Sequence, residues 1–152
     1  MIIEKFGKMN KKYQIFSICL LTGISIIIYG YYRCLNPTFE DPLVYGKNIC
    51  RVCDLWSIGH LLFNMMLGFF YPKHGVFIFT LGLLWETFEF LVHKEYLKDI
   101  PILSSINNLS KCKASSLLSS KEQHWVYYEL TDIPMNIIGI LSGIYLNKTY
   151  QK

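Results

Sequence analysis

Charged side chains are scarce in this chain of 152 residues, of which only 17% are Asp, Glu, Lys or Arg. Hydrophobic residues make up 52% and the mean hydropathy is positive, which is typical of a compact multi-pass membrane protein rather than of a small soluble domain. The net charge of +4 is spread over loops and termini without a basic stripe. We interpret it as membrane-flanking charge, and nucleic acid is not a predicted partner.

The sequence also lacks the short motifs of several enzyme classes. It contains no nucleophile elbow, no phosphate-cradling glycine loop, no dinucleotide fingerprint and no H-E-x-x-H pair. The first apolar run follows a basic N-terminus but is not followed by the small residues of a signal-peptide cleavage site, which predicts an uncleaved first span. The sequence therefore indicates a class of protein without assigning a reaction.

Four apolar runs have about the 20 residues needed to cross a bilayer as a helix. They cover about 13–32, 52–71, 75–93 and 125–146, and long polar loops lie at 34–51 and 94–122. The short link at Pro72–Gly75 predicts that the second and third spans form an antiparallel hairpin. We therefore predict an all-α membrane protein in which residues 1–152 form a single membrane domain. About four transmembrane helices make a small bundle, with the lipid bilayer as partner.

The predicted localisation is integral and multi-pass, with the basic N-terminus in the cytosol. Together with the adjoining Arg33, the two long loops hold eight of the fifteen Lys and Arg residues, so the charge difference across the membrane is nearly balanced. The same loops hold Cys34, Cys50, Cys53 and Cys112. Four cysteines on one side allow two disulfides, a zinc site or four unpaired thiols.

The third run is the most informative because it carries two glutamates and a histidine. Residues advance about 100° each around a helix, so Glu86, Glu89 and His93 lie within roughly 60° of one another. A carboxylate costs about 2.5 to 3.5 kcal/mol in the hydrocarbon region. A span that keeps two of them predicts a polar partner or a wet cavity beside it.

Polar residues at helical spacing also mark the second and fourth runs. They are Asp54, Ser57, His60 and Asn64 in the second run, and Glu129, Asp132 and Asn136 in the fourth. The second and fourth spans run in one direction and the third in the other, so a rise of about 1.5 Å per residue places nine groups at one depth. They are Asp54, Ser57, His60, Glu86, Glu89, His93, Glu129, Asp132 and Asn136. We predict a single polar cluster there. Gly139 and Gly143 predict close helix packing, and Pro134 predicts a kink in the fourth helix.

Each member of the cluster also has a purely structural interpretation. Asp54 can cap the start of its helix, and Glu129 can lie among the lipid headgroups. His93 can be interfacial, and His60 can be a neutral hydrogen-bonding contact between helices. For the cluster as a whole, a hydrogen-bonded helix clasp, a metal or catalytic site and a proton or ion pathway all remain open.

The blocks of polar residues resemble those of VanZ-like membrane proteins. The closest block, Asp132-Ile-Pro-Met-Asn136-Ile-Ile-Gly139-Ile-Leu-Ser-Gly143, is similar to the D-x-x-x-N-x-x-G-x-x-x-G helix of that family. Two further blocks, Asp54-Leu-Trp-Ser57-Ile-Gly-His60 and Trp85-Glu86-Thr-Phe-Glu89, look more like a related uncharacterised bacterial family with D-x-aromatic-S-x-x-H and W-E-x-x-E. VanZ-like proteins usually place the acid four residues before the histidine, not six, and have E-x-x-Q. The resemblance covers about residues 50 to 146 and implies a multi-pass fold but no reaction.

The chemistry favoured for this cluster is that of a membrane-embedded, metal-dependent enzyme acting on a lipid-like or lipid-linked substrate. Imidazole and carboxylate groups from three helices suit one or two divalent metal ions, which activate water. The catalytic candidates are Glu86, Glu89, His60 and Asp132; Asp54 and His93 are further metal-ligand candidates, and Asn136 and Ser57 are orienting candidates. The alternatives are a non-enzymatic protein whose cluster serves helix packing, or a small proton or ion pathway.

Overall fold

The computed structural model describes residues 9–36, 55–94, 96, 99–100 and 131–151, with Arg33 and Cys34 described by their backbone alone. Every regular element in these ranges is helical, which confirms the all-α prediction. The elements are α1 (Lys11–Leu35), α2 (Leu55–Phe70), a 3-10 turn (Pro72–His74), α3 (Gly75–His93) and α4 (Asp132–Tyr150). Asp54, Glu129, Cys50, Cys53 and Cys112 lie outside the described residues, as do most of the two long loops.

A tight turn connects α2 to α3. Pro72 disfavours helical backbone at the preceding residue, and Tyr71 accordingly has φ −130° and ψ 55°. The N–H of His74 donates to the carbonyl oxygen of Tyr71 at 2.9 Å, which closes the turn. Lys73 is midway along the chain between His60 of α2 and Glu86 of α3. The Nδ1 atom of His60 lies 3.4 Å from Oε1 of Glu86. Contact between residues equidistant from a turn means that α2 and α3 are antiparallel, as predicted.

Helices α2 and α4 run parallel and make the closest helix pair. Their contacts repeat every fourth residue at a constant separation of 78 positions, joining Leu61 to Gly139, Met65 to Gly143 and Phe69 to Asn147. At the last of these, Asn147 Nδ2 donates a 2.8 Å hydrogen bond to the carbonyl oxygen of Phe69. This bond satisfies one of the carbonyl groups that the end of α2 leaves unpaired.

Glycine allows the backbones of α2 and α4 to touch. A Cβ atom at Gly139 would collide with the carbonyl oxygen of Leu61, and one at Gly143 with the carbonyl oxygen of Met65. Gly68 of α2 makes the reciprocal contact, because its Cβ would meet a backbone carbonyl of α4. The close packing predicted from the Gly139 and Gly143 pair is confirmed, and Gly68 adds a glycine from the partner helix.

The prediction that Pro134 kinks the fourth helix is wrong for the described part of α4. The expectation of a kink assumed a helix that begins near residue 125, with the proline in its interior. In the structure α4 begins at Asp132, so Pro134 lies in the first turn. Proline is tolerated there because an N–H in the first turn has no intrahelical acceptor.

Helix α1 contacts α2, α3 and the segment between them. The side chain of Gln14 is buried, and its Oε1 accepts a 3.2 Å hydrogen bond from the Tyr71 hydroxyl. Nine residues further along, a Cβ at Gly23 would lie 2.8 Å from the indole ring of Trp85. Gly23 is therefore a docking site for the Trp85 ring rather than a glycine that the span merely tolerates.

The interior of the described bundle is more polar than its surface. Among the described residues, five hydrophobic side chains are buried, whereas 23 large hydrophobic side chains are exposed. The buried polar residues are Gln14, Ser57, Asn64, Glu86, Asp132 and Asn136. Two helical segments of this part, Lys11–Tyr32 and Pro72–His93, are long and apolar enough to cross a membrane. Large exposed apolar faces of this kind mark surfaces that contact a membrane or another protein.

Candidate functional site

Polar side chains from three helices meet at one end of the bundle. This polar cluster consists of Ser57, His60 and Asn64 of α2, Glu86 of α3, and Asp132 and Asn136 of α4. The cluster lies where α2 and α4 begin and in the second half of α3. The structure thus brings residues of all three runs together in one cluster.

Asp132 is held by the neighbouring helix. The Ser57 hydroxyl donates a 2.8 Å hydrogen bond to Asp132 Oδ1, and both residues are buried. Asp132 is also the first residue of α4, where the backbone N–H groups of the helix end favour a negative charge. Both features orient the carboxylate while leaving Oδ2 directed towards His60, whose Nε2 is 4.0 Å away.

Asn136 is the central group of the cluster because its amide contacts three other members. Its Oδ1 accepts a 2.7 Å hydrogen bond from Asn64 Nδ2 and lies 3.0 Å from His60 Nδ1. Its Nδ2 donates to Glu86 Oε1 at 3.3 Å. One amide therefore connects α2, α3 and α4.

Glu86 is the most unusual member of the cluster. The residue is 1% exposed, and its Oε1 lies 3.4 Å from His60 Nδ1. Its other carboxylate oxygen, Oε2, is buried without a hydrogen-bond partner. A buried polar atom left unpaired costs about 1–3 kcal/mol, and more if it is charged. Among the described residues, none donates a hydrogen bond that would offset the burial of this oxygen.

His60, Glu86 and Asp132 together form a candidate metal centre. Each offers one possible ligand atom, and these three atoms all lie within 4.8 Å of one another. Zinc ligands at about 2.0–2.2 Å from a tetrahedral ion lie about 3.3–3.6 Å apart. The three atoms would therefore have to approach one another by about 1 Å to bind one ion.

Comparisons with protein-family models, curated proteins and solved structures found no match for this chain. The VanZ-like resemblance stays a prediction that rests on the motifs. The geometry of the polar cluster is accordingly the basis for any functional assignment.

Glu89 has a different environment from Glu86, although the two lie one turn apart. Its Oε1 accepts a 2.8 Å hydrogen bond from Trp85 Nε1, and the same indole ring packs over Gly23 of α1. The structure therefore places the Glu89 carboxylate against the residue that docks α1. Among the described residues, the group of close ligand atoms contains neither Glu89 nor the half-buried His93.

Asn64 was not predicted as a site residue, yet it has a central position. It donates to Asn136 Oδ1 and also, at 2.9 Å, to the backbone carbonyl of His60. The signal for it was present in the sequence, because Asn64 continues the helical stripe of Ser57 and His60. Asn64 lies beyond the first half of the second run, to which the predicted cluster was confined.

Proposed function

We propose that this chain is an integral membrane protein that binds a divalent metal ion in its polar cluster and uses it to hydrolyse a lipid-like or lipid-linked substrate. The unpaired, buried Oε2 of Glu86 carries this proposal. It lies in a cluster where one imidazole and two carboxylates each offer a ligand atom, and these atoms all lie within 4.8 Å of one another.

The membrane assignment is supported by the surface of the bundle. Only 17% of the most apolar window is buried in each of the segments Lys11–Tyr32 and Pro72–His93. A core helix of a soluble protein would be mostly covered by its neighbours. Exposed apolar surface of this extent is stable where hydrocarbon replaces water.

Alkaline carbonate washing of membranes provides a direct check of this assignment. We expect the chain to stay in the membrane pellet at pH 11 and to be released only by detergent, because at least two helices are held by hydrocarbon rather than by charge. A peripheral protein of the same host should be released by the wash. Recovery of this chain in the wash would contradict the membrane assignment.

The ligand set indicates the kind of ion. One imidazole and two carboxylates suit zinc, manganese or iron, whereas a soft copper(I) ion prefers thiolates and thioethers. Such an ion, when bound, lowers the pKa of a coordinated water and polarises an ester oxygen. The chain's own residues hold the site: Ser57 orients Asp132, and Asn136 orients Glu86 and faces His60.

The position of the cluster suggests the substrate class. It lies near the ends of α2, α3 and α4, where a membrane helix meets the headgroup region. A phosphoester or other headgroup bond of a lipid would be at this depth, with its chains alongside the exposed apolar helix faces.

Metal analysis of the detergent-purified protein tests the proposed function. We expect about one divalent ion per wild-type chain after incubation with Zn²⁺ or Mn²⁺ and removal of excess ion. Asp132→Asn should lose the ion, because it removes a charged ligand while Ser57 can still donate to the remaining oxygen. Exposed Asp99 offers a matched control, and Asp99→Asn should bind like the wild type.

In the same preparations, hydrolytic activity should depend on the bound metal ion. Wild-type protein in mixed micelles should release product from at least one class of lipid phosphoester, lose this activity in a chelator and regain it with the ion. Absence of metal from the wild type, or equal metal in Asp132→Asn, would overturn the proposed function.

A helix clasp is the second candidate, and the hydrogen bonds of Asn136 favour it. Polar contacts between membrane helices contribute about 0.6 kcal/mol on average, and Asn136 connects three helices. In that case neither wild type nor Asp132→Asn would bind metal, and substitutions in the cluster would change only the stability of the bundle.

A further inference from the structure

The hydrogen positions of the polar cluster follow from one group that only accepts hydrogen bonds, the backbone carbonyl of His60. Asn64 Nδ2 lies 2.9 Å from this oxygen, so the amide nitrogen of Asn64 faces it. The same nitrogen donates its second hydrogen to Asn136 Oδ1 at 2.7 Å. This arrangement fixes the orientation of both amides, because a flip of either would place two donors or two acceptors against each other.

The fixed amides determine which ring nitrogen of His60 carries hydrogen. Nδ1 lies 3.0 Å from Asn136 Oδ1 and 3.4 Å from Glu86 Oε1. An amide oxygen has no hydrogen to donate, so Nδ1 must be the donor in its contact with Asn136. In a neutral imidazole with hydrogen on Nδ1, the other nitrogen Nε2 carries a lone pair. That lone pair faces Asp132 Oδ2 at 4.0 Å.

We infer that Asn136 is a positioning residue that holds His60 in the Nδ1–H tautomer and presents Nε2, opposite Asp132 Oδ2, as the metal-binding atom. A separation of 4.0 Å is too long for a hydrogen bond, and it is about 0.6 Å longer than the separation of about 3.4 Å between two ligands of a tetrahedral ion with bonds of about 2.1 Å. Histidines that bind metals usually donate their other ring N–H to a protein acceptor. The role of Nε2 rests on the proposed function, whereas the tautomer is a property of the chain alone.

Nitrogen NMR of the full chain in detergent, labelled with ¹⁵N at histidine, tests this inference at pH 8. The resonances of His60 are those lost in His60→Gln. We expect Nδ1 to be protonated and Nε2 to be unprotonated before metal is added. Addition of Zn²⁺ should shift the Nε2 resonance and leave Nδ1 protonated. An Nε2–H tautomer, an imidazolium or coordination through Nδ1 would each overturn the inference.

Two variants of Asn136 separate positioning from general packing. Asn136→Asp keeps an oxygen acceptor for Nδ1–H but loses the donor to Glu86 Oε1, and it should keep the hydrogen on Nδ1. Asn136→Leu removes the acceptor and should give a mixture of tautomers, with zinc affinity at least about tenfold lower. An unchanged tautomer in folded Asn136→Leu would overturn the role of Asn136. If that variant does not fold, the wild-type and Asn136→Asp spectra still show whether Nδ1 of His60 carries hydrogen beside an oxygen acceptor at position 136.

The outcomes distinguish this inference from the proposed function. A wild-type chain that shows Nδ1–H but binds neither zinc nor manganese refutes the proposed function and the ligand role of Nε2, and the tautomer assignment stands. A chain that binds zinc through Nδ1 refutes the inference, and the proposed function stands.

Discussion

Replacing Glu86 with glutamine is expected to lower the affinity for a divalent ion at least about 100-fold, which exceeds the 10- to 100-fold effect of removing an outer-shell partner. Glutamine keeps an oxygen that can accept from Asn136 Nδ2, so the hydrogen bonds between helices survive. It replaces the unpaired Oε2 with an amide group, which is a poor ligand. We therefore expect a loss of metal without a loss of fold, measured by competition with a zinc-binding dye and by circular dichroism.

Glu89→Gln is the matched control for this prediction. It is the same substitution one helical turn away, in a residue whose Oε1 accepts from Trp85 Nε1. Glutamine can still accept that bond, and we expect the affinity for the ion to change by less than about tenfold. Equal losses in the two variants would mean that the glutamates act together, and no loss in either would remove Glu86 from the ligand set.

Replacing Gly143 with alanine is expected to destabilise the bundle by about 3 kcal/mol, at the upper end of the usual cost of overpacking. The added Cβ would collide with the carbonyl oxygen of Met65 and would lie 2.7 Å from the backbone nitrogen of Phe69. Backbone atoms in the middle of α2 cannot move aside alone, so the two helices must separate. The free energy of unfolding in mixed micelles, followed by tryptophan fluorescence during an SDS titration, measures this loss.

Gly59→Ala is the control for Gly143→Ala. Gly59 is an exposed residue of α2, and a Cβ there would meet no atom within 4 Å. Alanine has the better helix propensity, so this variant should be as stable as the wild type or up to about 1 kcal/mol more stable. A Gly143→Ala variant as stable as Gly59→Ala would contradict the close contact of α2 and α4.

The predicted helices came from runs of apolar residues, and these are local signals. The range 75–93 coincides with α3, and α2 lies within one predicted run. The helical spacing of Ser57, His60 and Asn64 also placed one polar face on α2 correctly, because the geometry of a helix determines which residues share a face. Antiparallel direction for α2 and α3 followed from the shortness of the link between them.

Helical spacing alone did not predict which residues each polar face contacts. Glu86 and Glu89 lie within about 60° of each other on an ideal helix, and the sequence treated them as one pair. In the structure Glu86 joins Asn136 and His60, whereas Glu89 bonds Trp85 beside α1. Which neighbour a side chain meets depends on where the other helices pack, and a one-helix pattern does not contain that information.

The sequence by itself determined that this chain is helical, that its helices are apolar and that acids, amides and imidazoles recur at one depth. Only the tertiary structure decided that α2 and α4 touch through glycines, that Asn136 is the centre of the cluster and that Glu86 keeps an unpaired oxygen. The physical reason is that helix formation depends on neighbouring residues, whereas a site depends on backbones that approach closely enough for distant side chains to meet.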